Sequence, residues 1–456
     1  MTSKKTTMAS LSQGYSKIIE ANLEDNISGW QQAQDYIKES TAYNHGEAAD
    51  FLYMPKLFTR EAIDFLAQVG STTFNILSKI IRAYRQEPTF RKSFAFPKDL
   101  EDWLILPSQF DCQLPLARID LFFNEEDFSF TFCEFNADGA SAMNKDREIY
   151  NALCTTPAFA KMRADYDIQG FELFHSWVQA FADIYASSGA GPHNPLIAIV
   201  DFLESGTTEE FKVFRAAFAA AGYETVICEI RDLKHRDKGL YTPDGRRIDA
   251  IYRRAVTGEM FNKRAEIEDF LAAVRQQEVI LIGPLATQVI HNKILFEVIQ
   301  RQEILDCLTK EEQSFVKRHF PYTCKLQEGA NLEQIANDKD NWLIKPEDLY
   351  GSRGVYAGKD QNNTAWRHLI AQYANQGYLA QKYQKPYVTT NYDFNATPSR
   401  QSYNNITGLY LYNGAMAGIY SRAGQEGVIS SLHGGRTMTS VLATPLNTAL
   451  PAENKH

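Results

Sequence analysis

Several short stretches of the chain hold polar residues beside apolar strands or helices, and their types suit phosphate and metal chemistry. The first is Arg118-Ile119-Asp120, followed by Glu134-Phe135-Asn136-Ala137-Asp138-Gly139-Ala140-Ser141. Side chains alternate along a strand, so Arg118 shares a face with Asp120 and Glu134 shares one with Asn136. Two carboxylates and an amide oxygen are hard ligands suited to magnesium, which also holds phosphate oxygens. By the same alternation Phe128, Phe130 and Phe132 fall on the Glu134 face and form an apolar floor, and a carboxylate there needs a partner or a metal. A strand hairpin carrying an ordinary surface Arg-carboxylate pair is the alternative.

The second stretch reads NWLIKPEDLYGSRGVYAG from Asn341 to Gly358. A strand ends at Lys345-Pro346, a loop carries Gly351, Ser352 and Gly354, and a strand resumes at Val355. Glycines let backbone amides approach a phosphate, and a strand-end lysine reaches phosphate oxygens from outside the core. Glu347 and Asp348 argue against phosphate affinity, and a glycine-containing hairpin with an incidental lysine is the alternative. The third stretch, His291-Asn292-Lys293-Ile294-Leu295-Phe296, places a lysine at the start of an apolar helix. The fourth group is Tyr378 to Tyr383, a short strand carrying Gln381 and Lys382 that offers an adenine edge, and Gly414 to Arg422, a strand pair ending in an arginine.

These stretches need elements to hold them. Leu116 to Asn136 reads as two strands around the polar turn Asn124 to Asp127. A clean four-residue loop there would put the two polar pairs on opposite faces, so their convergence requires an odd turn or a bulge. Ile63, Leu66, Phe74, Leu77, Ile81 and Tyr84 recur at helical spacing and mark the first hundred residues as mainly helical packing. Further on, strand Leu196 to Asp201, helix Thr208 to Ala221 and strand Thr225 to Ile230 form a βαβ unit, with Thr207 and Glu210 as a capping box and Gly222 ending the helix. Another strand covers Ala250 to Arg253. The first βα loop, Leu203-Glu204-Ser205-Gly206, lacks the GxGxxG fingerprint, which argues against dinucleotide binding. Domain boundaries fall near 150 and 290: residues 1–150 form a helical region plus the metal-ligand hairpin, 151–290 the βαβ module, and 291–456 an ATP-binding lobe with a Pro, Asn and Ala-containing tail.

The 456 residues are 44% apolar and can fill a core in two or three modules. A formal charge of −9, from 47 basic and 56 acidic residues, gives no general attraction for nucleic acid or anionic lipid, so small molecules are the expected partners. No apolar run is long enough to span a bilayer. Met1 to Ser16 lacks the apolar core of a secretory signal and reads as a disordered tail. The cysteines at 112, 133, 154, 228, 307 and 324 show no metal-ligand spacing and read as reduced, mostly buried thiols of a cytosolic protein. Neither they nor His433 is given a catalytic role.

From about Phe96 to Arg422 these elements resemble the ligase domain of glutathionylspermidine and trypanothione synthetases and the wider circularly permuted ATP-grasp group. That resemblance implies an α+β or α/β chain: a permuted ATP-grasp fold with a small Rossmann-like βαβ module before it. The family's R-x-D and E-[FY]-N-A-D motifs correspond to Arg118, Asp120, Glu134 and Asn136, followed by Ser141. These imply a transition-state arginine, the magnesium ligands and part of the acid-substrate site. Lys293 and Lys345 correspond to lysines on the ATP phosphates, Gln381 and Tyr383 to the adenine-holding strand beside Lys382, and Arg422 to a late arginine approaching the phosphates. Metal ligands precede the phosphate lysines in the chain, the order that gives the permuted group its name. The implied activity is ADP-forming ligation of a carboxylate to an amine through an acyl phosphate, using ATP and Mg2+. A peptide-modifying ligase of the same superfamily and a nucleotide-binding protein without turnover are the rival readings. The chain has no N-terminal amidase module, and glutathione and spermidine are not implied as its substrates.

Overall fold

The computed structural model describes residues 6–44, 46–327, 332–349, 351–395 and 399–446. Within them the chain is a mixed α and β protein built from several sheets. The first expectation to fail is the disordered N-terminus. A helix spans Met8–Ala21, opened by a reciprocal capping box between Thr7 and Ser10, and it buries Met8, Leu11, Tyr15 and Ile19. Leu11, Tyr15 and Ile19 recur every four residues, so the segment holds an apolar stripe among its Ser and Lys residues. Residues 1–5 of the expected tail, and the tail beyond 446, lie outside the described residues.

A long helix, Arg60–Gln86, is capped by Thr59, whose hydroxyl accepts from the Ala62 N–H. Of the residues whose spacing predicts it, Ile63, Leu66, Leu77, Ile81 and Tyr84 are buried. They pack in one cluster with Ile119, Leu121, Phe132 and Leu411, which belong to the largest sheet. That central sheet is antiparallel. Its strands run in the order Arg436–Met438, Ala415–Gly424, Ser399–Tyr412, Leu116–Phe123, Phe130–Asn136, with Val388–Asp393 pairing onto Ser399–Tyr412.

Register in the hairpin is decisive for everything that follows. Arg118 pairs with Asn136 and Asp120 with Glu134, but Leu121 pairs with Phe132, so Cys133 is an extra residue and the ladder bulges between Asp120 and Leu121. The expected bulge is present, and it overturns the expected apolar floor. Phe130, Phe132 and Phe135 all join the core cluster, because the extra residue flips parity between Phe132 and Glu134. Phe128 belongs to the turn, with φ of +61°.

A second sheet of four parallel strands has the order Ile280–Ile282, Ala250–Arg253, Ile197–Asp201, Thr225–Glu229. The helix Thr208–Ala220 makes the crossover between its last two strands in that order, as the βαβ reading expects, and Gly222 follows it at φ of +89°. The expected capping box is absent, since Thr207 makes no side-chain cap hydrogen bond. Glu210 is buried instead and accepts from the Asn144 N–H at 3.1 Å and from Arg254 at 3.0 Å. A buried arginine demands a charged partner more strongly than a helix end demands a cap. A third sheet, antiparallel, orders Thr323–Lys325, Tyr378–Lys382, Trp342–Pro346, Tyr356–Ala357 over a small core of Trp342, Ile344, Trp366 and Ile370. All six cysteines are free thiols, of which Cys228 is buried and the other five are half-buried. Among the described residues no helix is long and apolar enough to cross a membrane.

One buried acid makes the fold sensitive to pH. Asp146, in the helix Met143–Cys154, is buried with its Oδ1 unpartnered, and burial pushes its carboxyl up to about 7 from 3.8, against opposing hydrogen bonds from Thr439 and Ser440. The folded state then binds this proton more tightly than the unfolded chain. Its contribution is complete below pH 4 and is lost as pH rises through 7. Asp146→Asn is therefore expected to raise stability on the order of 2 kcal/mol at pH 8 and to change it little at pH 4. Thermal melting of both proteins at the two values checks this.

Candidate active site

On the face of the central sheet opposite the aromatic core, three of its strands bring their charged residues together. Arg118 donates from Nε to Asp120 Oδ1 at 2.7 Å and from Nη2 to Oδ2 at 3.1 Å, a bidentate pair. Arg422 reaches across from its own strand and donates to the same Oδ2 at 2.6 Å. Asp120, at 0% exposure, is thus held between two guanidinium groups. Asn136 Nδ2 lies 3.3 Å from Asp120 Oδ2 and 3.4 Å from Glu134 Oε1. The strand between them contributes a glycine for a steric reason: a Cβ at Gly408 would lie 2.6 Å from Asp120 Oδ1 and 2.9 Å from Arg118 Cδ. Ser141 enters through its backbone, where its carbonyl accepts from Arg118 at 2.9 Å and from the Tyr410 hydroxyl at 2.7 Å.

Glu134 is the electrostatic focus. Burial alone would raise its carboxyl, but Lys293, Arg422, Arg118 and Lys345 together hold it down at about 2. Its side chain remains 23% exposed, with Arg422 at 3.8 Å. The guanidinium of Arg118 is also buried; burial opposes its charge, while Asp120 and the nearby Tyr410 restore it and leave its affinity for the proton raised.

Lys345 corrects a second expectation, that it lies at a surface position outside the packed core. It is only 4% exposed. Its ammonium donates to Gln381 Oε1 at 2.9 Å and to the Cys133 carbonyl at 3.4 Å, and stands 4.6 Å over the Phe296 ring. Gln381 in turn donates to the Thr323 hydroxyl at 2.8 Å, so both ends of its amide are used inside the small sheet. Burial lowers the Lys345 ammonium to about 8. Lys293 precedes the short helix Leu295–Val298, and its ammonium donates to the Leu349 carbonyl. The loop after Lys345, before the strand Tyr356–Ala357, takes left-handed conformations at Gly351, Ser352 and Gly354. Tyr350 lies outside the described residues. The acidic pair that argued against phosphate is held elsewhere: Asp348 accepts from Gln288 at 2.8 Å, and Glu347 is half-buried, its carboxyl raised chiefly by burial.

Arg118, Glu134, Asn136, Ser141, Arg422, Gly351 and Ser352 line one cleft, with Asp120, Lys293 and Lys345 set behind its wall. Gly354 packs instead against the Tyr378 hydroxyl. Lys382 points to the other face of its strand, over the Trp342 ring at 4.1 Å and bonded to Asp338 at 3.0 Å. Tyr383 follows it and receives a hydrogen bond from Lys359 at 3.3 Å.

The cleft, about 280 Å3, separates this face from the C-terminal ends of the parallel strands, the customary place for ligands in such sheets. Residues the sequence reading passed over stand on that opposite wall. Asp201 ends one parallel strand with its carboxyl raised to about 7 by burial, and Arg254 follows another. Asp138 pairs with Arg253 and accepts from the Thr257 N–H at 2.6 Å and the Thr287 hydroxyl at 3.2 Å, tying the hairpin to the parallel sheet. A charged residue terminating an apolar strand is the signal that marks each of them.

The donor set fits a hard divalent cation. Among the described residues no group of three His, Cys, Asp or Glu side chains is clustered to hold a metal. An ion on this face would accordingly rest on Asp120 and Glu134, joined by the Asn136 oxygen once that amide, whose Nδ2 now faces both carboxylates, turns over and Arg422 leaves the place between them.

No known family of sequences matches the chain, and no curated protein is significantly similar to it. A solved structure is similar in fold: a glutathione synthetase-like effector from Globodera pallida in its apo form, with a TM-score of 0.55 and 11% identity. The likeness covers 91% of this chain and 96% of that one. It establishes a shared fold across nearly the whole length.

Because Lys345 is buried, the two roles of its side chain separate by substitution. Lys345→Ala is expected to lower stability by roughly 2 kcal/mol, since it opens a void and strands Gln381. Lys345→Met, which also strands Gln381 but keeps the volume, is expected to cost about 1 kcal/mol less than Lys345→Ala. Urea unfolding of the three proteins measures both differences.

Proposed function

We propose that this protein is an ATP- and magnesium-dependent carboxylate–amine ligase that forms an acyl phosphate and releases ADP and phosphate. The observation that carries the reading is the cluster in which Arg118 and Arg422 both grip Asp120 beside Glu134 and Asn136, while Lys293 and Lys345, bonded to neutral oxygens, stand near enough to help lower the Glu134 carboxyl. Four cations exceed what two carboxylates require, and phosphate oxygens supply the missing negative charge. The fold shared with a protein described as glutathione synthetase-like supports the same class. In this reading the sheet and the lysine-bearing lobe are an ATP-grasp pair in permuted order, metal ligands first and phosphate lysines after.

Asp120, Glu134 and Asn136 would hold the magnesium ion, which neutralises phosphate charge during transfer. Arg118 and Arg422 neutralise charge on the transferring phosphoryl group once they leave Asp120. Lys293 exchanges the Leu349 carbonyl for a phosphate oxygen, and Lys345, oriented by Gln381, contributes a second cation from below. Backbone amides at Gly351 and Ser352 approach the same phosphates. The opposite wall, with Ser141 at its edge, receives the acid and the amine. No side chain forms a covalent bond to substrate.

Incubation with magnesium-ATP and pools of carboxylic acids and amines, with nucleotides separated by chromatography, is expected to yield ADP. Asp120→Asn and Glu134→Gln are expected to reduce that release by about 100-fold or more. AMP and pyrophosphate as products would place the protein in another ligase class, and nucleotide binding without ADP release would make it a binding protein.

A further inference from the structure

His291 belongs to none of the assignments above, yet its ring lines the cleft. It ends the short helix Gln288–His291, two residues before Lys293, and is 8% exposed. Nδ1 is fully buried with no hydrogen-bond partner, and the ring makes no side-chain hydrogen bond among the described residues. A buried polar ring without partners is costly, and native proteins keep few of them. Around it stand Asp138 and Glu134 of the hairpin, Lys293 just beyond its own helix, and Asp348 of the glycine loop. Asp138 is already paired with Arg253, and Asp348 already accepts from Gln288. Two other residues that line this cleft, Arg254 and Arg422, likewise keep a buried Nε without a partner. Three side chains of the cleft wall thus keep a buried nitrogen without a partner, in a site that also holds cations suited to an anionic ligand.

We propose that His291 donates a hydrogen bond to a terminal phosphoryl oxygen of the bound nucleotide, beside Lys293, as a further phosphate-contacting residue of this site. The inference rests on the nucleotide reading of the cleft. Burial, the largest influence on the ring, lowers its proton affinity, and Lys293 acts in the same direction against Asp138. A neutral imidazole carries one N–H, enough for one phosphate oxygen. It adds direction to the charge that Lys293 supplies without adding a further cation.

Calorimetry with the full chain and magnesium provides the test, using AMP and a non-hydrolysable ATP analogue as probes. His291→Leu and His291→Asn are expected to weaken the triphosphate analogue at least tenfold and to leave AMP affinity unchanged, with Asn retaining more than Leu. Leu should also melt no lower than the parent without ligand, because it removes an unpartnered polar ring. Unchanged affinity for the analogue in both variants would overturn the assignment and leave the nucleotide reading standing. Equal loss for AMP and the analogue, or a lowered melting temperature in both variants, would make His291 a structural residue. Absence of analogue binding in the parent would overturn both readings.

Discussion

The site depends on a single inserted residue. Cys133 has no counterpart on the facing strand, and the bulge it creates turns Glu134 and Asn136 onto the face that already carries Arg118 and Asp120. With regular pairing beyond Phe132, Glu134 would point into the cluster that holds Phe130, Phe132 and Phe135, where a carboxylate has no partner. The same insertion brings the Cys133 carbonyl to 3.4 Å from the Lys345 ammonium. One extra residue therefore sets both the direction of the acidic ligands and one contact of the buried lysine. Its thiol is raised to about 12, chiefly by burial and further by Glu134, so Cys133 serves by backbone geometry and not by sulfur chemistry.

Around that bulge the charges are balanced unequally. Asp120 is satisfied by Arg118 and Arg422, and Asn136 bridges it to Glu134. Among the described residues, Lys293 and Lys345 have neutral oxygens as hydrogen-bond partners, a Leu349 carbonyl and the Gln381 amide with the Cys133 carbonyl. An ammonium group facing neutral oxygens in a buried place retains much of its attraction for an anion, because the local dielectric is low. The fold holds these cations in position by packing: Lys345 lies over Phe296, and Phe296 belongs to the same core as the aromatic face of the hairpin. Core and site are two sides of one sheet, with Gly408 leaving room for the Arg118–Asp120 pair to lie across the middle strand.

What the sequence made legible follows from periodicity. The helix Arg60–Gln86, the strands at 116–123, 130–136, 197–201 and 250–253, and the need for a bulge were all readable, because alternation and 3.6-residue spacing state which faces are apolar. Thr207 and Glu210 matched a capping box by spacing, but pattern alone does not reveal that Arg254, 44 residues away, takes Glu210 into a buried pair. Lys345 misled for the same reason: a strand-end lysine looks exposed unless Gln381 and Thr323 are known to face it. The N-terminal helix was missed because its Ser and Lys residues hid the four-residue stripe of Leu11, Tyr15 and Ile19. Of the candidate site, the residues on one sheet face were legible and the opposite wall was not. Asp201, Arg254 and His291 come from three separate segments that meet only through long-range packing.

Part of the polar cost of this fold lies in the cleft. Away from the cleft, the buried pair of Lys56 and Glu125 is closed, with Lys56 also donating to the Asn405 amide oxygen. In the cleft the buried groups are left open, with Nε of Arg254 and of Arg422 and Nδ1 of His291 lacking partners and the Asp201 carboxyl held near neutrality by burial. Folding alone would favour apolar residues at such positions. Unsatisfied nitrogens on both walls of one cleft, with cations beneath one wall, lower stability in the free protein and raise the free energy gained when an anionic ligand completes them. A surface shaped only for packing between the two sheets would close these groups on one another, as Asp138, which also lines the cleft, closes on Arg253. The contrast between that closed pair and the open groups beside it distinguishes the joint between the two sheets from the place where a ligand is received.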